Sequence, residues 1–190
     1  MAGENNEQKT REFINKWRSK IGEEWVDNST VEQLFEARAL NIPGWNEDVT
    51  ATGIRNWAIV NTDLNALWLD EEYAKTTRWG GIIAPPLFII SVHEGQPHGI
   101  AITIDARESG VPFDQSFNGG SEWEFFEPAR PGDKIRYTIK LADISEKKGR
   151  RADLTFVKSE ITYTNQKGQL IAIGRGTVIL TRNSQLNVTE

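Results

Sequence analysis

Residues 82–92 read Ile-Ile-Ala-Pro-Pro-Leu-Phe-Ile-Ile-Ser-Val, and this apolar run decides the fold. Paired prolines can open a helix, because the first helical residues have no intrahelical partner for their amide hydrogens. The residues after them are apolar nearly all round, which is typical of a buried helix, and Gly95 and Pro97 end it. A helix without a polar face needs a sheet to cover it.

The C-terminal half supplies the strands for that cover. Ile135, Tyr137, Ile139 and Leu141 alternate with polar residues, as in a half-buried strand. Further strands are predicted over residues 121–127, 154–163 and 170–181. The last two are joined by a hairpin turn, Asn-Gln-Lys-Gly at 165–168.

The N-terminal half is predicted to be mainly helical. A helix starts at Thr10 and ends at Gly22, with an apolar face of Phe13, Ile14, Trp17 and Ile21. Residues 31–40 are compatible with either a helix or a strand.

Two shorter helices are predicted before the apolar run. Thr50 is the expected N-cap of the first, which places Ile54, Trp57 and Ala58 on one face. Residues 61–69 are predicted to form a loop. Asp70 is the expected cap of the second helix, over residues 71–78, which ends at the two glycines 80 and 81.

These elements predict one α+β domain. Residues 1–8 are expected to form a disordered tail, residues 9–182 a single domain with an N-terminal helical extension, and residues 183–190 a polar tail. The sequence contains no internal repeat.

Composition narrows the classes of function. Apolar residues make up 38% of the 190 residues and charged residues 26%, a balance that indicates a soluble globular protein. The net charge of -5 argues against a nucleic-acid partner. The chain has no cysteine and only two histidines, His93 and His98, so neither a disulfide nor a metal site is expected. No signal segment or membrane-spanning run is present, and the expected location is the cytoplasm.

Four segments together resemble a known family. Residues 62–74 read Thr-Asp-Leu-Asn-Ala-Leu-Trp-Leu-Asp-Glu-Glu-Tyr-Ala, and residues 78–88 read Arg-Trp-Gly-Gly-Ile-Ile-Ala-Pro-Pro-Leu-Phe. They are followed by Glu-Trp-Glu-Phe-Phe-Glu-Pro-Ala-Arg-Pro-Gly-Asp at 122–133 and Tyr-Thr-Asn-Gln-Lys-Gly at 163–168. In this order and spacing they resemble the MaoC-like hydratases and dehydratases, in the branch called the N-terminal MaoC-like, or fatty-acid-synthase-like, dehydratase domain. The resemblance runs from about residue 21 to residue 181.

The resemblance implies a fold and a reaction. It implies a hot-dog fold, in which a curved antiparallel sheet wraps around a buried central helix and two such units pair, with an acyl channel at their interface. The implied reaction is the reversible addition of water to a trans-2-enoyl thioester of CoA or acyl carrier protein. No cofactor is implied beyond the CoA or acyl carrier part of the substrate.

The resemblance also places candidate catalytic residues. In the family an Asp and a His, five residues apart, hold the reacting water. The matching residues here are Asp63, with Asn65 two positions later, and Trp68 in place of the histidine. An indole cannot take up a proton near neutral pH, so Trp68 cannot share acid-base work with a carboxylate. Alternatively, Asp63 and Asn65 are turn residues that bind nearby amides, while Trp68 packs in the core or forms a wall of the acyl pocket.

The start of the central helix departs from the family in a second way. The family commonly has Ala-His-Gly there, and the glycine amide serves the thioester oxygen. This chain has Ala84, Pro85 and Pro86, and proline has no amide hydrogen. With Trp68 and Phe88, these residues are the predicted substrate-binding residues.

Basic residues are candidates for binding CoA phosphates. Lys75 and Arg78 are the residues predicted to bind these phosphates. Lys147, Lys148, Arg150 and Arg151 are better explained as a solvated turn.

Several functions follow from this pattern. The leading hypothesis is a subunit of an enoyl-CoA hydratase or 3-hydroxyacyl-CoA dehydratase that shapes the acyl pocket while a second hot-dog subunit supplies the catalytic Asp and His. The alternatives are a self-sufficient homodimer that uses Asp63 with another group such as His93, and an acyl-thioester binding module without activity. A thioesterase that uses Glu94 is a weaker option.

Overall fold

A computed structural model describes residues 2–27, 49–91, 110–111 and 113–183. The helices are α1 (Ala2–Arg18), α2 (Ala51–Val60), α3 (Ala66–Leu69) and α4 (Glu71–Thr76), and a 3-10 helix covers Pro86–Ser91. The strands are β1 (Glu24–Asp27), β2 (Gln115–Phe125), β3 (Ile135–Lys147), β4 (Ala152–Asn165) and β5 (Leu170–Asn183). The predicted α+β class is confirmed. No helix in the described ranges is long and apolar enough to cross a membrane.

The five strands form one antiparallel sheet in the order β1-β3-β4-β5-β2. Three of the predicted strands are confirmed as β3, β4 and β5, and the predicted turn joins β4 to β5. Gly168 in this turn has a φ of +75°, a conformation that glycine adopts without a steric penalty.

The strand predicted at residues 121–127 starts six residues earlier and ends two residues earlier, at Phe125. β2 begins at Gln115 and pairs with β5 along most of its length, with a bulge between Asn118 and Gly120. Its first half, Gln-Ser-Phe-Asn-Gly-Gly, lacks the alternation of apolar residues that marks a strand. Pairing with β5 therefore overrides weak local propensity.

The inner face of the sheet carries the main core. Tyr137, Tyr163 and Ala172 lie side by side on β3, β4 and β5, and all three are buried. In the next row, Ile139 and Ile161 are fully buried beside a glycine of β5. The alternation predicted for β3 thus faces this core, as expected for a half-buried strand.

Helix α1 packs on the other end of the same face. Phe13, Ile14 and Trp17 form a second buried cluster with strand residues that include Leu141 and Val157, which confirms three residues of the predicted apolar face. The fourth, Ile21, is 42% exposed, because the helix ends at Arg18 rather than at Gly22. The helix begins at Ala2 rather than Thr10, so the prediction of a tail is wrong for residues 2–8. Glutamate and glutamine have high helix propensity, and in this segment they extend a helix that the packing of Phe13, Ile14 and Trp17 already holds, despite Gly3.

The described residues limit three other predictions. Residues 86–91 form a 3-10 helix that buries Phe88 and Ile89 but leaves Leu87 43% exposed, so this part of the run is not buried all round as predicted. The rest of the predicted central helix lies outside the described residues, as does the ambiguous segment 31–40. The predicted tail at 183–190 also lies outside them, apart from Asn183 at the end of β5.

The outer face of the sheet carries linked ion pairs across four strands. Lys140 on β3 contacts Glu160 on β4, while Arg175 on β5 bridges Glu160 and Glu124 on β2. Hydrogen bonding from Lys140, supported by Arg175, holds the pKa of Glu160 below its ordinary value of 4.5 against the opposing effect of burial.

This ion pair gives a prediction about pH. Because its pKa is lower in the folded state, ionised Glu160 contributes stability above pH 4.5, and the contribution disappears as the pH falls through the folded-state value. Glu160→Gln is expected to lower the free energy of unfolding by about 1 kcal/mol at neutral pH, and by less at acidic pH. Urea denaturation over a pH series measures this difference, with Glu122→Gln on β2 as the control. A difference that stays constant into the acidic range would contradict it.

Candidate functional site

Helix α2 and the 3-10 helix form one side of the candidate site. The Thr50 side chain accepts a hydrogen bond from the amide of Gly53 at 2.9 Å, which confirms it as the N-cap of α2. The rings of Trp57 and Phe88 meet edge to face, with 6.3 Å between their centroids. This contact fixes α2 against the start of the 3-10 helix.

Asp63 lies in the tight turn after α2. Its amide donates to Ala58 O at 2.9 Å, and its Oδ1 accepts from the Asn65 amide at 3.4 Å. Thr62 before it has a φ of +56°, a strained conformation for a residue with a branched Cβ. The half-buried carboxylate is thus engaged with the local backbone, the arrangement of a turn residue.

Asn65 is the N-cap of α3. Its Oδ1 accepts a hydrogen bond from the Leu67 amide at 3.0 Å. The prediction of a loop over residues 61–69 is therefore wrong for its second half, where this cap starts a helical turn over Ala66–Leu69. Asp70 then caps α4, as predicted, by accepting from the amides of Glu72 and Tyr73. Helix α4 ends at Thr76, two residues earlier than expected.

Trp68 packs against the main core cluster, which also contains Ala84 and Phe88. The structure therefore brings together three of the five predicted substrate-binding residues. The indole Nε1 is buried and meets no hydrogen-bond acceptor among the described residues. A buried donor without an acceptor costs about 1–3 kcal/mol.

This unpaired donor gives a second prediction. Trp68→Phe removes the N–H together with part of the ring, and the two effects oppose each other. The free energy of unfolding is expected to change by less than about 1 kcal/mol. Trp17→Phe, at a site only 5% exposed, is the matched control and is expected to lose about 2 kcal/mol. Guanidinium denaturation measures both variants. If Trp68→Phe and Trp17→Phe lost equal free energies of unfolding, the Trp68 N–H would have an acceptor.

The start of the 3-10 helix is held by backbone hydrogen bonds. The Ala84 amide donates to Ala129 O at 2.8 Å, and Pro85 O accepts from the Phe88 amide at 2.9 Å. Pro85 is buried and Pro86 is exposed. Neither proline can donate an amide hydrogen to a ligand here.

An aromatic wall lies on the inner face at the edge of the sheet, and sequence reasoning did not identify it. Trp123 and Phe125 on β2 have nearly parallel rings, 9° between planes and 6.1 Å between centroids, and Tyr163 adjoins Trp123 at 5.9 Å. Trp123 lies directly over Gly174, where an added Cβ would come within 2.7 Å of the indole. The signal in the sequence was a glycine in the middle of a strand. Burial raises the pKa of Tyr163 far above its usual range, so its hydroxyl does not ionise under physiological conditions.

The predicted CoA-binding residues, Lys75 and Arg78, are exposed. Lys75 forms ion pairs with Glu71 and Glu72 at 3.2 and 2.9 Å. The Arg78 guanidinium lies 4.4 Å from the ring centre of Trp79. The basic residues 148–151 form the exposed turn between β3 and β4. His93, Glu94 and His98 lie outside the described residues.

Comparison with known proteins supports one family. The model of the FAS1-like dehydratase domain region matches residues 39–173. A probable enoyl-CoA hydratase alpha subunit of Thermomonospora curvata is 27% identical over 172 residues, which are 83% of this chain. The matched residues make up 53% of that protein, so the chain spans about half the length of this relative.

Two solved structures have the same fold. The MaoC-like dehydratase from Rhodospirillum rubrum is 27% identical with a TM-score of 0.53, over 72% of this chain and 87% of that one. The ChsH1-ChsH2 complex from Mycobacterium tuberculosis gives a TM-score of 0.61 at 18% identity, over 70% of this chain and 78% of that one. These similarities support the hot-dog expectation for the sheet, although the central helix is described only over 86–91. The chain belongs to the FAS1-like dehydratase domain family, among the MaoC-like dehydratases.

Proposed function

We propose that this chain is the pocket-forming subunit of an enoyl-CoA hydratase or 3-hydroxyacyl-CoA dehydratase, and that a partner MaoC-like subunit supplies the catalytic Asp and His. The observation that carries the proposal is the pairing of Asp63 with Trp68. The carboxylate accepts from its own turn, and the side chain five residues later is an indole with no capacity to accept a proton.

The residues at the start of the 3-10 helix also support a partner subunit as the source of the catalytic groups. A developing negative charge on a thioester oxygen needs a donor such as a free backbone amide. Pro85 and Pro86 remove two such donors where the family uses one. The chain thus departs from the family at both elements of catalysis, while Trp68, Ala84 and Phe88 still share one apolar cluster.

The edge of the sheet supports pairing with a second subunit. Among the described strands, β2 is the last of the sheet, and it is exposed along almost its whole length. Three phenylalanines on or beside it, Phe117, Phe125 and Phe126, are 51%, 43% and 49% exposed. An edge that no described strand pairs with, flanked by exposed aromatic rings, is a surface that a partner strand can cover.

The comparisons favour a two-subunit enzyme. One relative is named as the alpha subunit of an enoyl-CoA hydratase, and one structure of similar fold is a complex of two chains. The alternative is a homodimer that uses Asp63, and the test must distinguish it from the two-subunit enzyme.

The test measures hydration of a short and a bulky enoyl-CoA by this chain alone and after co-expression with a MaoC-like partner that carries Asp and His. We expect turnover only with the partner. Asp63→Asn is expected to change kcat of the complex less than about threefold, whereas the same change at the partner's aspartate should remove about 2–4 orders of magnitude. Turnover by this chain alone that Asp63→Asn abolishes would overturn the proposal and favour the homodimer.

A further inference from the structure

A cavity of about 630 Å³ lies at the open end of the β3–β4 hairpin, and Asp63 is not among its described lining residues. It is lined by residues 134–136 at the start of β3 and by residues around the β4–β5 turn, including Thr164, Asn165 and Gln166. A cavity of this volume accommodates an organic molecule rather than a single ion.

Side-chain hydrogen bonds fix both walls of the cavity. Asn165, which is 6% exposed, accepts from the amides of Lys167 and Gln169, each at 3.0 Å. Gln166 joins the walls, because its Oε1 accepts from the Lys134 amide at 2.9 Å and its Nε2 donates to Gly132 O at 3.2 Å. A ligand therefore meets a preformed site and does not have to order these turns.

The charge of the lining is positive. Lys134 and Arg136 line the cavity, and no Asp or Glu is among its described lining residues. This is a local contrast in a chain whose net charge is -5. Of the described cations on β3 and β5, Lys140, Arg175 and Arg182 each contact a carboxylate, whereas Arg136 forms no ion pair with a described residue.

The groups present recognise a phosphate. A guanidinium donates paired hydrogen bonds that match two phosphate oxygens. Thr164, directly opposite Arg136 on β4, places a hydroxyl in the same lining. We propose that this cavity binds a nucleoside phosphate, which is either the nucleotide portion of a CoA thioester or a free nucleotide. The CoA source rests on the proposed function, and the free-nucleotide source does not.

The test is calorimetric titration of the full chain with ADP, CoA, pantetheine and inorganic phosphate, without any turnover. Arg136→Gln is expected to weaken the binding of ADP and CoA about tenfold, and added salt should weaken the wild-type binding. Arg151→Gln is the matched control, since it removes one guanidinium at the opposite end of the same hairpin, and it should change affinity less than about twofold.

Comparing the affinities for CoA and ADP distinguishes a CoA site from a free-nucleotide site. CoA that binds about 100-fold more tightly than ADP identifies a CoA site, and equal affinities identify a free-nucleotide site. The proposal is overturned if ADP and CoA do not bind, if they bind no more tightly than inorganic phosphate, or if Arg136→Gln leaves their affinities unchanged. Because these readouts need neither a partner nor hydration, their failure is distinguishable from failure of the proposed function.

Discussion

Gly174→Ala is expected to lower the free energy of unfolding by about 2 kcal/mol, although alanine is the smallest possible addition. The new Cβ would lie 2.7 Å from Cζ3 and 2.8 Å from Cη2 of Trp123, closer than carbon atoms can approach. The indole must leave its place over β5, and the parallel arrangement with Phe125 is lost with it. Chemical denaturation followed by tryptophan fluorescence measures both the stability and the exposure of the displaced ring.

A double-mutant cycle tests the cause of this effect. In a Trp123→Ala background the clash no longer exists, so Gly174→Ala should become neutral or slightly stabilising, because alanine restricts the unfolded chain more than glycine. Gly81→Ala, where nothing lies within 4 Å of the added Cβ, is the control and should stay within about 0.5 kcal/mol of wild type. Additive effects of the two substitutions would refute the packing explanation.

The second large effect is expected at Asn165. Asn165→Ala should lower the free energy of unfolding by about 2 kcal/mol, because it removes the side-chain acceptor, itself only 6% exposed, of the amides of Lys167 and Gln169. It also removes the hydrogen bond from Nδ2 to Gln169 Oε1.

The conservative variant separates the two parts of this effect. Asn165→Asp keeps an acceptor for both amides and loses only the Nδ2 donor, so a loss of about 1 kcal/mol is expected at neutral pH. Thermal and urea denaturation of both variants provide the comparison. Equal losses for alanine and aspartate would show that the side-chain acceptor does not hold the turn.

Sequence patterns predicted the parts of the fold that depend on local chemistry. The caps at Thr50 and Asp70 follow from short polar side chains before helical segments, and the turn after Asn165 follows from its residue types. The apolar faces of β3 and α1 follow from periods of 2 and about 3.6 residues.

The remaining features depend on contacts between residues distant in sequence. The first half of β2 becomes a strand because β5 pairs with it, and Trp123 finds its place because Gly174, about fifty residues later, has no side chain. The cavity wall joins Gln166 to the backbone near Lys134, a link that no periodic pattern contains. At the candidate site the residue types indicated turn formation, and the geometry of Asp63 and Asn65 agrees with it.

The position of β5 has a consequence for synthesis on the ribosome. This last strand lies between β4 and β2, and its Arg182 also donates to the hydroxyl of Thr10 at 3.4 Å. A nascent chain that ends before residue 170 therefore lacks the only sheet neighbour of β2 in the described structure and one tie to the first helix. The sheet is therefore expected to form completely only after β5 has left the ribosome exit tunnel, and until then the aromatic residues of β2 are exposed to chaperones.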